Sequence, residues 1–390
     1  MSKWAKARLE DCCRSISDGD HLPPPKTDSG IPFVTISDIH NNRFDLSNTR
    51  FVPEAYYEAI DQKRKIQKGD VLYSVVGSYG IPVFADESLK VAFQRHIAIL
   101  RPSEEIEPRF LYYSMLNRDF FLKADAVAVG AAQKTITLAA LRGLEIALPP
   151  LPIQRRIAAI LSDYDSAIDN ARRQIALLEE AAMRLYREWF VVKANPKWEK
   201  GAVRKWFEIT IGRTPPRKIA ANFSESATDQ KWCSIKDLQN SNIFISETAE
   251  RLTKQGVDSS KIHISPAGTI FLSFKLTVGK VAITLEPMAT NEAIAHFETI
   301  DRALRDYTYC YLHEFQYDTL GSTSSIGKAI NSEIVRDMPF VMPDAKTLTR
   351  FSDMVSPIFD QIQNSVVFIR TLTEARDRLL PKLMSGEIEV

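Results

Sequence analysis

The amino-acid sequence predicts an α+β fold in which two globular mixed α/β domains are separated by two long antiparallel coiled-coil helices, as a pseudo-two-fold tandem repeat. Three observations support this prediction. The chain of 390 residues repeats itself once, each copy begins with short strand-like runs, and each copy ends in a long heptad pattern. A chain of this length usually holds more than one domain, and each half is long enough to bury its own core.

The repeat consists of short strings that recur at a nearly constant offset. Residue Phe33 corresponds to Trp232, an offset of 199 (232 minus 33), and the offset falls to 194 by Arg142 and Arg336. The matching strings are 33–39 with 232–238, 69–74 with 268–273, and 97–98 with 294–295. A period of about 195 residues indicates duplicated domains rather than the short units of a solenoid.

Each copy is predicted to place a globular domain before a helix. In the first copy, β-branched and aromatic runs bounded by Gly, Pro and Asp predict strands at 32–39, 71–76 and 91–100. Residues 110–116 have helical patterning, and residues 138–141 follow Thr137, a capping residue type. The expected boundaries are 1–150 for the first domain, 151–194 for the first helix, 195–344 for the second domain and 345–390 for the second helix.

The two helices carry one apolar stripe each, with spacings of four and three residues that place it on a single face. In the first helix the stripe contains Ile157, Leu161, Tyr164, Ile168, Ala171, Ile175, Leu178, Ala182, Leu185 and Trp189. The corresponding positions of the second are Phe351, Val355, Ile358, Ile362, Ser365, Ile369, Leu372, Arg376, Leu379 and Leu383. Because proline removes a helical hydrogen bond at a cost of ~3 kcal/mol, we expect a break at Pro357 with Ser356 as its cap. Ser162 and Asp163 would cap an equivalent break in the first helix.

The stripes also predict how the helices pair. A stripe must be buried, and the other stripe of matching length is its natural partner. The helix from about residue 163 to 190 spans ~40 Å. The intervening domain of about 150 residues has an expected radius of gyration of ~15 Å, and its ends usually lie close together. The end of the first helix and the start of the second are therefore expected to be neighbours, which makes the helices antiparallel and places the domains at opposite ends.

Composition and motifs argue against a catalytic, metal or nucleotide site on this chain. Fifty Lys and Arg balance 49 Asp and Glu, so the net charge of +1 does not advertise a polyanion partner. The four cysteines lack CxxC spacing and the six histidines lack HxxxH spacing, so we expect neither disulfides nor a metal site. Residues 321–329 resemble a phosphate-binding loop, but five residues separate the glycines and Ala329 replaces Ser or Thr. With no leader and no long apolar run, we expect a cytoplasmic protein.

Several strings together resemble one family. The junction at 148–162 begins Leu-Pro-Pro-Leu-Pro-Ile-Gln and leads into the heptad helix, as in the specificity subunits of type I restriction-modification systems. The Gly-Asp-Val-Leu-Tyr-Ser run at 69–74, the loop at 77–80, the segment at 133–136 and the ending at 383–388 are similar to that family as well. The resemblance covers the whole chain. The second junction departs from the pattern, because Leu348 stands where Gln154 would lie.

The resemblance implies a non-catalytic DNA specificity subunit. Each globular part would be a target recognition domain that reads one half of a bipartite site in double-stranded DNA. The helices would dock two adenine-N6 methyltransferase subunits, onto which two ATP-driven endonuclease subunits can assemble. S-adenosylmethionine, ATP and magnesium are then expected on those partners and no cofactor on this chain, with no membrane involved. Two readers on one face of B-DNA would lie about one turn apart, ~34 Å or ~10 base pairs.

Candidate DNA contacts fall into basic clusters and recurring loops. The clusters, which would neutralise phosphates, are Lys63, Arg64, Lys65 and Lys68 in the first copy and Arg213, Arg217 and Lys218 in the second. The loop candidates are Ser78, Tyr79, Arg95, Gln133, Lys134, Lys275, Lys280 and Lys328. Arg95 suits guanine and Gln133 suits adenine. A charge run is equally often a plain solvated face.

Two other functions remain open from the sequence. A structural adaptor could bind proteins through two paralogous domains on a coiled coil, and the near-zero net charge favours this alternative. An enzyme of another type is the third possibility, against which stands the lack of a recognisable catalytic motif.

Overall fold

In the computed structural model, the chain forms two compact units. The structure describes residues 4–21, 24–131, 133–320 and 330–390. Unit 1 contains residues 1–168 and 371–390, and unit 2 contains residues 169–370. Each unit combines one globular region with one part of each long helix. Within the described ranges, no helix is both long and apolar enough to cross a membrane.

Unit 1 is built on a four-stranded antiparallel sheet of order β2-β10-β7-β8 and a three-stranded sheet of order β6-β3-β9. Its elements are β1 (Ala5–Arg8), α1 (Leu9–Cys12), β2 (Cys13–Asp18), β3 (Ile31–Val34), β4 (Ile39–His40), β5 (Arg43–Phe44), β6 (Arg50–Val52), α2 (Glu54–Ala59), β7 (Val71–Ser74), β8 (Pro82–Phe84), β9 (Ala92–Phe93), β10 (Ile97–Pro102), α3 (Pro108–Leu116), α4 (Arg118–Ala126), α5 (Leu138–Gly143), β11 (Glu145–Leu148) and α6 (Leu151–Tyr186). Two further strand pairs, β1 with β11 and β4 with β5, complete the unit.

The local sequence explains the central elements of unit 1. All four residues of β7 are buried, which fits its unbroken run of apolar and small side chains between two neighbouring strands. Helix α5 begins as expected at Thr137, whose Oγ1 accepts a hydrogen bond from the Ala140 amide at 3.1 Å. The predicted strand at 71–76 and the predicted helix at 110–116 correspond to β7 and α3. The strands predicted at 32–39 and 91–100 are each only partly correct, because a 3-10 turn at Ile36–Asp38 separates β3 from β4 and a turn at 94–96 separates β9 from β10.

Unit 2 repeats this plan. Its sheets have the orders β13-β21-β18-β19-β16 and β14-β17-β15-β20, with β12 paired to β22. Its elements are β12 (Glu199–Ala202), β13 (Ile209–Ile211), β14 (Phe223–Ser224), β15 (Gln230–Cys233), α7 (Ile235–Gln239), β16 (Phe244–Ile245), β17 (Glu250–Leu252), α8 (Lys254–Ser260), β18 (Ile270–Ser273), β19 (Val281–Thr284), β20 (Ala289–Thr290), β21 (Ile294–Phe297), α9 (Arg302–Glu314), α10 (Ser332–Asp337), β22 (Pro339–Met342) and α11 (Ala345–Ser385). The core order β13-β21-β18-β19 matches β2-β10-β7-β8 of unit 1, so the sequence repeat is also a repeat of topology.

The long helices α6 and α11 contribute their apolar stripes to the cores of both units. In unit 1, Ile157 and Leu161 of α6 share a core with Leu380 and Leu383 of α11. In unit 2, the ring of Phe190, just beyond α6, lies 4.9 Å from that of Phe351 near the start of α11. The early part of α6 therefore packs with the late part of α11 and the reverse, so the two helices run antiparallel.

Burial along the stripes is uneven. The buried stripe positions are Ile157, Leu161, Ile168, Ala171, Ile175, Ala182, Phe351, Val355, Ile362, Ser365 and Leu383, whereas Tyr164, Leu178, Leu185, Trp189, Ile358, Ile369, Leu372, Arg376 and Leu379 are partly exposed. Phe359, which the heptad pattern does not include, is completely buried beside Ile358. The α-helical period of 3.6 residues drifts against a strict heptad, which moves neighbouring positions onto the buried face.

The break expected at Pro357 is wrong, because α11 is continuous from Ala345 to Ser385. Val355 and Phe359, which flank the proline, are both buried in the core of unit 2, and their burial offsets the lost helical hydrogen bond. The Ser356 hydroxyl donates to Asp306 at 2.8 Å instead of capping a new helix. The equivalent break at Ser162 is absent for the same reason, since α6 continues through the buried residues Leu161 and Ile168.

Candidate nucleic-acid interface

In unit 1, three loops meet at the end of β7. The Val75 amide donates to the His96 carbonyl at 2.8 Å, and the Val75 carbonyl accepts from the Ile136 amide at 2.8 Å. The Gly77 amide donates to the Lys134 carbonyl at 3.2 Å. These main-chain bonds bring together the loop at 77–80, the turn at 94–96 and the segment at 133–136, which the sequence separates widely.

The first loop surface is the set of side chains that these loops carry, namely Ser78, Tyr79, Arg95, Gln133 and Lys134. Ser78, Arg95, Gln133 and Lys134 are exposed, and Tyr79 is half-buried. Exposed hydroxyl, guanidinium, amide and ammonium groups on one set of adjoining loops form a surface that can contact base edges and phosphates.

Asp125 holds two members of the first loop surface in place. Its carboxylate accepts from Lys134 Nζ at 2.7 Å and from the Tyr79 hydroxyl. These hydrogen bonds, from Lys134 first and Tyr79 second, lower the pKa of Asp125. The Tyr79 ring stacks on Phe121 with a centroid distance of 6.1 Å. Lys134 is thus paired in the free protein, and a phosphate would have to compete with Asp125 for its ammonium group.

The basic cluster at 63–68 is dispersed by the fold. Lys65 is only 8% exposed, its Nζ lies 3.2 Å from the Glu58 carbonyl, and it sits 4.8 Å from the centre of the Tyr57 ring. Arg64 faces acidic groups at 3.8 and 3.9 Å, and Lys63 pairs with Asp61 at 3.3 Å. Lys68 is exposed and forms no ion pair with the described residues. The structure therefore does not place Lys65 on a phosphate-binding surface, and the cluster does not form one continuous basic patch.

Unit 2 repeats part of the hydrogen-bond frame of unit 1, and the counterpart of the segment at 133–136 lies largely outside the described residues. The Phe274 amide donates to the Ala293 carbonyl at 2.9 Å, in the place of the bond from Val75 to His96. The Gly279 amide donates to the Ser273 carbonyl at 2.9 Å, which is also the distance from Gly80 to Ser74 in unit 1. Both copies thus hold the hairpin tip and the turn before the following strand, β10 or β21, in the same way.

The side chains on this shared scaffold differ in charge. The Asp20 amide bonds the Phe93 carbonyl at 2.7 Å, and in unit 2 the equivalent amide belongs to Arg213, which bonds Thr290 at 2.9 Å. Arg95 of the first loop surface corresponds to Glu292, since the strands that follow align at an offset of 197 (294 minus 97). Equivalent positions therefore present opposite charges in the two units.

Glu292 is a candidate site residue that the basic clusters of the sequence do not include. Its carboxylate accepts a hydrogen bond from the Thr214 hydroxyl, and this bond, with smaller contributions from Lys275 and Arg217, lowers the pKa of Glu292. It is therefore ionised near neutral pH. The alignment of Ile97 with Ile294 identifies this position, because the same offset aligns the acidic Glu292 with Arg95.

The predicted cations of unit 2 lie in different settings. Arg217 forms a bidentate ion pair with Glu250, with nitrogen-to-oxygen distances of 2.5 and 3.0 Å. Its guanidinium lies 4.8 Å from the centre of the Trp232 ring. Arg213 donates to the Ser260 carbonyl at 2.9 Å. Lys218 and Lys275 are exposed and have no ion pair among the residues that the structure describes. Lys328 lies outside the described residues.

Lys280 is not an exposed cation. It is partly buried, and burial lowers its pKa despite the neighbouring Glu179. Burial raises the pKa of Glu179, which also accepts from the Ile243 amide at 2.9 Å. Lys280 is therefore directed toward the interior of unit 2 rather than toward a ligand. Its aligned position in a loop does not reveal this, since α6 supplies Glu179 from far along the chain.

The titratable groups that resemble a reactive centre have structural partners. His263, His296 and Glu298 are the one group of at least three potential metal ligands found within the described ranges. His296 Nδ1 lies 2.9 Å from Thr210 Oγ1, and its Nε2 lies 2.7 Å from Thr290 Oγ1, so both ring nitrogens are already hydrogen-bonded. The arrangement is that of a buried polar network.

The cysteines have the environment of structural thiols. Burial raises the pKa of Cys12 to about 11 and that of Cys13 to about 12, and burial also raises the pKa values of Cys233 and Cys310. A thiol must be deprotonated to act as a nucleophile or a zinc ligand. All four are protonated near neutral pH and unpaired with one another.

Comparison with known proteins gives consistent matches along the chain. The family model for the type I restriction modification DNA specificity domain matches residues 1–180 and again residues 195–365. The type I restriction enzyme HindI specificity subunit of Haemophilus influenzae is 23% identical, with all of both chains covered. The putative type I restriction enzyme MjaX specificity subunit of Methanocaldococcus jannaschii is 24% identical over 99% of this chain and 94% of its own.

A solved structure is similar in fold. The crystal structure of the type I restriction-modification S subunit from M. genitalium aligns with 98% of this chain and 96% of its own, with a TM-score of 0.52 and 15% sequence identity. At this identity the similarity establishes the fold, and the two copies of the family model account for the internal repeat.

Proposed function

The chain belongs to the type I restriction-modification DNA specificity family, and from this premise we infer that its two globular regions each read one part of a bipartite DNA target. The observation that carries this proposal is the repeated loop scaffold with different side chains. Main-chain bonds fix the hairpin tip and the turn that carries Arg95 or Glu292 alike in both units, whereas these two aligned residues have opposite charges. A common frame with exchanged side chains is what two readers of different sequences require.

The side-chain chemistry suggests what each reader favours. Arginine donates two hydrogen bonds to the O6 and N7 atoms of guanine, and glutamine pairs with the N6 and N7 atoms of adenine. Glutamate accepts a hydrogen bond from the N4 amino group of cytosine. Arg95 and Gln133 would therefore read purines in the first half-site, and Glu292 would read cytosine in the second.

We further propose that the chain works as a non-catalytic subunit. It would dock two adenine-N6 methyltransferase subunits, and endonuclease subunits could join that assembly. S-adenosylmethionine would then be held by the methyltransferases, with ATP and magnesium on the endonuclease. The exchangeable readers would be bounded by residues 150, 194 and 344. Helices α6 and α11 would set the length of the unread spacer.

Methylation sequencing tests the proposal directly. The chain is co-expressed with its cognate methyltransferase subunit, and the host DNA is sequenced for N6-methyladenine. The expected result is a two-part methylated motif with a constant spacer. A complex that forms but leaves the DNA unmethylated, or methylates it at random, would instead support the protein-binding adaptor, the alternative that the net charge of +1 favours.

Two matched variants test the division of labour between the units. Arg95→Ala should relax the methylated motif in one half-site only, and Glu292→Ala should relax it in the other half-site only. Replacement of residues 196–344 by the corresponding domain of another family member should change the same half-site as Glu292→Ala. Changes in both half-sites from any one of these variants would contradict independent readers.

A further inference from the structure

The connection between β18 and β19 contains an unusual residue. Leu276, in the hairpin tip formed by residues 274–280, is 95% exposed and has a backbone φ of 62°. At the equivalent position of unit 1, 199 residues earlier (276 minus 77), stands Gly77 with a φ of 73°. The two tips therefore share a left-handed backbone conformation, which unit 1 achieves with glycine and unit 2 with leucine.

Among the residues of unit 2 that the structure describes, none covers the Leu276 side chain. In the left-handed region the Cβ atom crowds the following carbonyl oxygen, and glycine alone avoids that cost. A leucine there would normally be repaid by packing, but 95% of the Leu276 side chain remains open to solvent. An exposed apolar side chain on a strained backbone points to a contact outside the chain.

The hairpin tip is held firmly on both sides. The Phe274 amide bonds the Ala293 carbonyl at 2.9 Å, and Gln239 Nε2 donates to Thr277 Oγ1 at 2.6 Å. Ala293 directly follows Glu292, the proposed reader of the second half-site. Lys275, the residue before Leu276, is exposed, forms no ion pair with the described residues, and is near enough to Glu292 to contribute to the lowered pKa of that carboxylate. Leu276 thus projects from a fixed loop beside one base-reading group and one cation.

The shape of this element selects the groove. A two-stranded β-ribbon fits the major groove of B-DNA, which is ~12 Å wide, whereas the minor groove is only ~6 Å wide. The apolar feature of the major groove is the C5-methyl group of thymine, which aliphatic side chains contact. We propose that Leu276 reads a thymine methyl group in the half-site of unit 2. This inference rests on the proposed function and adds to it a specific base and a contact without hydrogen bonds.

The test is a binding assay with full-length protein in complex with its methyltransferase. The probe is a DNA duplex carrying the methylated motif found by sequencing, together with duplexes in which each thymine of the second half-site is replaced singly by deoxyuridine. Wild type should lose affinity about 4-fold at one such position, which corresponds to the burial of one methyl group. The substitution Leu276→Ala should weaken binding of the thymine duplex about 10-fold. The variant should bind the deoxyuridine duplex as tightly as it binds the thymine duplex.

Ile300 provides the matched control. It is also fully exposed but follows β21 at the end opposite to the hairpin tip, because Ser273 at the end of β18 pairs with Ile294 at the start of β21. Ile300→Ala should bind as wild type does. Leu276→Gly should lose affinity without a lower melting temperature, since glycine suits the left-handed backbone, and this excludes misfolding as the cause.

The outcomes separate the inference from its premise. If wild type does not prefer the motif duplex over a scrambled one, the proposed function itself fails. If wild type prefers the motif but Leu276→Ala binds equally tightly, or if the variant keeps its sensitivity to deoxyuridine, Leu276 does not read a methyl group and the inference is overturned.

Discussion

At the scale of single residues, Gln154 shows how one buried amide fixes a junction. Its Oε1 accepts from the Glu107 amide at 2.9 Å, and its Nε2 donates to the Pro149 carbonyl at 2.9 Å. These bonds join the start of α6 to the segment before α3 within unit 1. In unit 2, Leu348 occupies the matching position and is buried in an apolar core, so the junction there is held by packing. The second junction departs from the proline-rich pattern, and apolar packing of Leu348 there replaces the hydrogen bonds of Gln154. The alignment of the two copies is unchanged.

Loss of the Gln154 amide should destabilise unit 1. Gln154→Ala leaves the Glu107 amide and the Pro149 carbonyl without a partner in a buried place, at an expected cost of about 1–3 kcal/mol in the free energy of unfolding. Urea denaturation measures it. Gln174→Ala, on an exposed face of α6, is the control and should change the free energy by less than about 0.5 kcal/mol. Equal stabilities for the two variants would contradict the anchoring role.

His296 should make unit 2 sensitive to acid. Burial, helped by the nearby His263, lowers its pKa to about 3. An unfolded histidine has a pKa near ~6.5, so between these values only the unfolded chain takes up the proton. Stability should therefore fall as pH drops below ~6.5, by at most about 1.4 kcal/mol per pH unit from this residue.

The variant His296→Gln isolates this contribution. It removes the titrating ring and keeps amide groups near Thr210 and Thr290, so the unfolding free energy of the variant should depend less steeply on pH between about 6 and 4. His40→Gln, at an exposed histidine of unit 1, should keep the wild-type slope. Guanidinium denaturation at several pH values provides the comparison, and parallel slopes for wild type and His296→Gln would disprove the assignment.

Residue types alone predicted only part of the candidate site. The loops that carry Arg95 and Gln133, which the sequence singles out because they recur around apolar strands, adjoin each other in unit 1, and their contact with DNA stays a prediction. It does not reveal that Lys65 is buried against Tyr57, because a long aliphatic stem packs against an aromatic ring as readily as it extends into solvent. Lys280 is misjudged for a similar reason, since its surroundings include Glu179 from a distant helix.

At the scale of elements, periodicity predicted strands and helices well and helix interruptions poorly. Strand β7 and helix α5 follow from local apolar runs and a cap, which require no distant partner. The continuity of α11 through Pro357 depends on the buried neighbours Val355 and Phe359, and no local rule contains that information. Packing free energy outweighs propensity wherever the face of a helix is deeply buried.

Replacement of Pro357 should stabilise unit 2. Pro357 is exposed and lies in the interior of α11, so Pro357→Ala restores a helical N–H donor and removes a steric clash with the preceding turn. We expect the free energy of unfolding to rise by about 1–3 kcal/mol, measured by chemical denaturation. Met354→Ala, one turn earlier and also exposed, serves as the control with little change. A loss of stability on Pro357→Ala would show that the proline itself is required for packing.

At the scale of the whole molecule, the offset between copies predicted the repeated topology. The sheet order β2-β10-β7-β8 recurs as β13-β21-β18-β19 because the apolar strings that form these strands recur. The composition of the compact units was not predictable in this way. Unit 1 includes residues 371–390, which follow all of unit 2 along the chain, since pairing of the two long helices joins distant segments. The antiparallel pairing that the two stripes predict brings residues 371–390 to unit 1, whereas the offset between the copies contains no such information.

The end of the chain should therefore be required for the stability of its beginning. Leu380, Leu383 and Met384 are buried in the core of unit 1 with Leu161, and Arg376 pairs with Asp165 at 2.6 Å. Each such apolar side chain contributes about 1.5–3 kcal/mol, so their removal approaches the typical stability of a domain, about 5–15 kcal/mol. A chain that ends at Arg370 should lose amide protection from hydrogen exchange throughout unit 1 and keep it in unit 2. A chain that ends at Ser385, the last residue of α11, should keep both. Full protection of unit 1 in the shorter chain would show that its core is complete without α11.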